Sequence, residues 1–90
     1  MSFYFQKQVY EEFVIGVDFT DVLTTGETIS AYSVVASDDT TKDGAAVLSS
    51  NTVQQKIKAG LANKSYTFSF RVTTSAANKL EEDVKMTVFE

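Results

Sequence analysis

Strict alternation between Tyr66 and Thr73 constrains this chain more than any other feature. Tyr66, Phe68, Phe70 and Val72 point one way, and Thr67, Ser69, Arg71 and Thr73 the other. Side chains of a strand alternate faces with a period of two, so the stretch reads as a strand with one buried face. Ala59 to Ser65, small and polar, is the turn that leads into it. Each buried ring or valine contributes about 1.5–3 kcal/mol of transfer free energy, so this strand is expected to dominate the core, with Phe70 inside it.

Other segments repeat the pattern. Phe13, Ile15, Val17 and Phe19 alternate, with Gly16 on the outward face, where a bulge is expected. Thr28 to Val35 is β-rich, and Ala45 to Leu48 reads as a short strand. Val53, Ile57 and Leu61 fit a helix face, but Val53, Gln55 and Ile57 also fit a strand, which the neighbouring strands favour. Val84, Met86 and Val88 close the chain as a strand, and Ser75 to Lys79 is the hairpin turn before it. About seven short strands separated by turn signals indicate an all-β sandwich. Tyr66, at the start of its strand, fits the tyrosine corner of immunoglobulin-like sandwiches, in which the hydroxyl bonds to upstream backbone.

The chain has 90 residues, the size of one domain, and residues 1–90 are read as a single immunoglobulin-like domain of about seven antiparallel strands. Residues 1–12 are either an edge strand or a flexible arm. Phe3, Tyr4 and Phe5 are the leading interaction candidates: the plain alternative is an edge strand of the core, the other an aromatic arm docking on a neighbour. With no proline in the chain, edges need other protection, and Lys7, Lys56, Lys58 and Lys85 are candidates for it.

Composition removes many chemistries. There is no Cys and no His, so thiol chemistry and the usual neutral-pH base and metal ligand are missing. Serine and threonine hydroxyls lack a base to activate them, and catalysis is not expected. Asp39 to Gly44 faintly resembles a calcium loop, but Thr41 replaces the usual Asp or Asn, Ser50 stands where a bidentate Glu is wanted and Lys42 adds a repelling charge, so a solvated loop is the better reading. Glu81-Glu82-Asp83 reads as an exposed acidic strand start that can meet a basic partner. No cofactor is implied. The net charge of −4, with Lys56, Lys58, Lys64 and Arg71 as the one local concentration of cations, argues against nucleic acid. No stretch has the composition of a signal peptide or a membrane span, so no membrane partner is expected.

Three pieces carry a family resemblance: Thr24-Thr25-Gly26-Glu27-Thr28-Ile29-Ser30; Ala59 to Tyr66 followed by Arg71-Val72-Thr73-Thr74-Ser75; and Glu81-Glu82-Asp83-Val84-Lys85-Met86-Thr87-Val88. Together, over about residues 13–89, they resemble the small immunoglobulin-like structural proteins of tailed phages and prophages, some of them fibre-tail adaptors. Two glycines common in that family are replaced near Asn63 and Ala77; Asn63 tolerates a left-handed backbone, and Asn78 is expected to do so in the second turn. The resemblance implies a non-enzymatic virion structural protein in the tail, head-tail or fibre-adaptor region. It implies other phage structural proteins as partners, with a homo-oligomer on the particle left open. The expected location is the virion, or the host bacterial cytoplasm during assembly. The alternative is a carbohydrate- or surface-adhesion module using Tyr4, Tyr10, Tyr32 and Phe89.

Overall fold

The computed structural model describes residues 2–89, with side chains from Tyr4 onward. Seven strands follow one another: β1 (Ser2–Gln8), β2 (Phe13–Asp18), β3 (Ile29–Ala36), β4 (Val47–Ser49), β5 (Thr52–Ile57), β6 (Ser65–Thr74) and β7 (Lys79–Phe89). They form two sheets, ordered β1-β7-β6-β3 and β2-β5-β4. Two 3-10 turns, Thr20–Val22 and Asp39–Thr41, interrupt the connections. Each begins within an Asp-x-Thr sequence, Asp18-Phe19-Thr20 and Asp38-Asp39-Thr40. The carboxylates of Asp18 and Asp38 accept from the amides of Thr20 and Thr40 at 2.9 Å and from the same residues' hydroxyls. These hydrogen bonds hold both carboxyls below the ordinary aspartate range.

The inner faces supply the core. Tyr66, Phe68, Phe70 and Val72 of β6, Val84, Met86 and Val88 of β7, and Val53 and Ile57 of β5 are all buried. The alternation that marks β6 in the sequence is the alternation of its burial. The ambiguous segment at Val53 is a strand, because its inward residues face β6 and β7 across the sandwich.

Four expectations need correction. Not every pair is antiparallel: β1 runs parallel to β7, with Tyr4 opposite Lys85. The bulge is not at Gly16, where the β2–β5 register is regular, but in β3 between Ile29 and Ala31. A Cβ at Gly16 would sit 3.2 Å from the Thr52 methyl, so glycine serves close packing there. In the second turn the left-handed residue is Ala77 (φ 64°), not Asn78; Asn63 is left-handed as expected (φ 64°). The four lysines do not guard edges. Lys56 and Lys85 lie in the central strands β5 and β7, Lys58 follows β5, and Lys7 is 1% exposed.

The quoted sequence pieces meet in space. The Glu27 carboxylate accepts from the Thr24 amide at 2.9 Å, from Asn78 Nδ2 at 3.0 Å and from the Thr74 hydroxyl. Ser75 and Thr28 exchange two further bonds, so the turn before β3 is tied to the β6–β7 hairpin. At the other end Gly60 (φ +91°) passes so close to β7 that a Cβ would lie 2.9 Å from Val88 Cγ2. The Tyr66 hydroxyl accepts from the Leu61 amide at 2.9 Å beside it.

Candidate interaction surface

The two long sides of the sandwich differ. On one side lie the edge strands β3 and β4. The segment between them closes this side with four hydrogen bonds. Lys42 Nζ donates to the Val34 carbonyl at 2.8 Å, and Gln55 Nε2 to the Gly44 carbonyl at 3.0 Å. The Asp43 amide donates to Lys56 at 2.9 Å and the Lys58 amide to Thr41 at 3.0 Å. In β3 the odd residues from Ser33 to Ser37 pair with β6, which turns the Val34 carbonyl to the outer edge. Lys42 therefore covers a free edge acceptor, the protective work the sequence reading assigned to other lysines.

The opposite side is open. Here β1 ends one sheet and β2 the other, and among the described residues no strand pairs with their outer edges. The Phe5 and Phe13 rings meet edge to face, 5.8 Å between centroids, at the mouth. Between the two strands runs a cleft of about 410 Å³ lined by Tyr4, Phe5, Phe13, Ile15, Val17 and Val84. Phe13 and Ile15 point inward yet stay half-exposed, because among the described residues no strand lies beyond the edge of β2.

The sequence candidates fall on this side. Residues 2–8 form β1, the last strand of its sheet. Phe5 turns inward and is half-buried, while Tyr4 turns out and is 76% exposed. Phe3 pairs with Val84 through its backbone, and its side chain lies outside the described residues. Val14, on the outer face of β2, is also exposed. The sequence named the aromatics of β1 but not β2 beside them, since only the topology shows that both strands are edges of one opening.

A second hollow of about 470 Å³ lies near Tyr32, Arg71, Leu80 and Glu81. Two of its charges are paired, Arg71 Nε donating to Glu81 at 2.5 Å, and Lys79 adds a third beside them. The cation group of the sequence reading also disperses: Lys56 pairs with Asp43 on one sheet, Arg71 with Glu81 on the other. No helix among the described residues is long and apolar enough to cross a membrane.

Residues 7–87 match the family model described as podophage GP4 fiber-tail adaptor protein gp77. The chain belongs to this family. No curated protein matches it. Membership gives the fiber-tail adaptor a structural role in the phage tail, met through other phage structural proteins, and a place in the virion. The match covers β2 to β6 whole and most of β7 and includes both walls of the closed side; it starts at Lys7, near the end of β1.

Proposed function

We propose that this fiber-tail adaptor is a non-enzymatic connector that docks on its neighbours through the open β1/β2 side. The observation that carries the reading is the asymmetry of the sandwich: on one side the segment between β3 and β4 bridges the two sheets through Lys42 and Gln55, on the other an apolar cleft lies open between the edges of β1 and β2. Tyr4 and Phe5, with Phe3 in the same strand, are its contact residues, and large aromatics are the residues that interfaces favour. Tyr66 acts as the structural corner that fixes the β5–β6 turn.

The chain is read as one immunoglobulin-like domain. Strands β2-β5-β4 follow the order B-E-D of such a domain and β3-β6-β7 the order C-F-G, while the first strand sits beside β7 instead of β2. Several copies sit on one particle under the symmetry of the tail. The adaptor is made in the host cytoplasm and joins the particle there. Its partner is protein rather than nucleic acid or membrane, in keeping with a net charge of −4 and dispersed cations. The adhesion alternative draws no support from the placement of the aromatics, because Tyr4 and Tyr32 stand at opposite edges of one sheet.

Mass spectrometry of density-purified particles tests the role. A fixed ratio of this chain to a tail protein, and loss of fibres when its gene is deleted, is the expected result. Particles that lack the chain and keep their fibres would contradict it.

A further inference from the structure

We propose that the outer edge of β2 receives an extended segment of a partner protein as a fourth strand, and that this segment is apolar in its middle and cationic at both ends. The inference rests on the immunoglobulin-like reading above. In that arrangement strand A belongs beside strand B. Here β1 has left that position for β7, so the position next to β2 is vacant.

The chemistry of the vacancy defines its occupant. The Phe19 amide bonds to Asn51 at 2.9 Å and continues the β2–β5 ladder. By the alternation of antiparallel pairing, the backbones of Phe13, Ile15 and Val17 turn to β5, and those of Val14 and Gly16 face outward. These outward groups form a template for main-chain hydrogen bonds, the basis of strand addition. β2 has no charge before Asp18 and no proline, so nothing in it blocks a new strand. Alternate side chains of the incoming strand enter the cleft and cover Phe13 and Ile15.

Charge selects the ends. The exposed Glu11 and Glu12 precede β2, and the exposed Asp18 and Asp21 end and follow it. Six residues of strand span about 20 Å, so a segment of that length meets acid at both ends. Of the lysines near the first end, Lys7 is already occupied by three carbonyl groups and Lys56, opposite Val14 on β5, pairs with Asp43, while Lys58 follows β5 beside them. A second copy of this chain carries the same acidic ends and a net charge of −4, and would be repelled.

The test uses synthetic peptides of alternating valine and threonine, about ten residues long, flanked by two lysines at each end or by two glutamates. Binding to the full chain is followed by fluorescence anisotropy and by amide exchange in NMR spectra. The lysine-flanked peptide should bind at least roughly tenfold tighter at low salt, lose that advantage at high salt, and protect the amides of Val14 and Gly16. Val14→Pro, which removes an outward N–H, should abolish binding, and Val14→Thr should keep it. Where Val14→Pro fails to fold, the double variant Glu12→Lys with Asp21→Lys should reverse the preference between peptides. Equal affinity for both peptides, protection at β3 or β1 instead, or protection of Val14 by the chain's own concentration alone would overturn the proposal. If it is overturned while the wild-type chain still sits at a fixed ratio in particles, the adaptor reading stands and only the β2 assignment falls.

Discussion

Lys7 Nζ donates a 2.6 Å hydrogen bond to the carbonyl oxygen of Ala59, 52 positions further along the chain. The same ammonium donates to Gln8 and Val9 at 2.9 and 3.1 Å. Ala59 and Gly60 are both left-handed, φ 56° and +91°, at this turn out of β5. Lys7 thus clasps β1, an edge strand of one sheet, to a turn leaving the other.

Removing the clasp should loosen β1. Lys7→Ala is expected to cost about 2–3 kcal/mol in urea unfolding, from lost charge-assisted hydrogen bonds and lost packing of the stem. Lys7→Met keeps the stem and should cost less. A Met variant more stable than wild type would show that desolvation of the ammonium outweighs its bonds. The pH dependence has a definite sign. Burial holds the Lys7 ammonium below the ordinary lysine range, and the charges of Glu11 and Glu12 partly restore it. Between its folded value and about 10.4 the unfolded chain binds more protons, so this group's contribution to stability rises with pH through that window. Wild-type stability minus that of Lys7→Met should climb toward about pH 10; a flat difference contradicts the assignment.

Glu27 gives the opposite dependence. The Thr74 hydroxyl, then the Thr24 amide and Asn78, hold its carboxyl below the usual glutamate range. The contribution is present above about pH 4.3 and is lost as pH falls through the depressed folded value. Glu27→Gln should lower Tm at neutral pH, and the gap to wild type should close in acid. A gap that stays constant from pH 7 to pH 3 would remove Glu27 from the link between the turn before β3 and the β6–β7 hairpin.

The Tyr66 hydroxyl bond to Leu61 can be removed without removing the ring. Tyr66→Phe should cost about 1 kcal/mol in chemical denaturation. An unchanged midpoint would mean the corner adds nothing beyond the packing of the ring.

Ala77 holds φ 64° in the β6–β7 turn, where an alanine Cβ is crowded. Ala77→Gly should raise stability by about 0.5–1 kcal/mol, while Asn78→Gly should not. A destabilised Ala77→Gly would contradict the left-handed assignment.

These residues mark what the sequence could convey. The period-two pattern from Phe13 to Phe19 and from Tyr66 to Thr73 places strands and faces, because burial itself follows that period. It carries no record of which strand becomes an edge. A lysine in an edge strand reads as protection, yet Lys7 is covered because three carbonyls, one of them distant, converge on it. Lys42 protects the edge of β3 from a loop that looked merely solvated. Tyr4 and Phe5 were visible as aromatics, but the cleft they share with Phe13 and Ile15 depends on β1 pairing with β7, a long-range choice with no local signature.

Photo-crosslinking in assembled particles tests the central claim most directly. A benzophenone side chain placed at Tyr4 or Val14, on the open side, is compared with one at Tyr32 or Val47, all four being exposed in the isolated chain. The account predicts adducts to a fibre or tail protein from positions 4 and 14 and few from 32 and 47. Adducts confined to Tyr32 or Val47 would contradict it and place the interface on the side that Lys42 and Gln55 close.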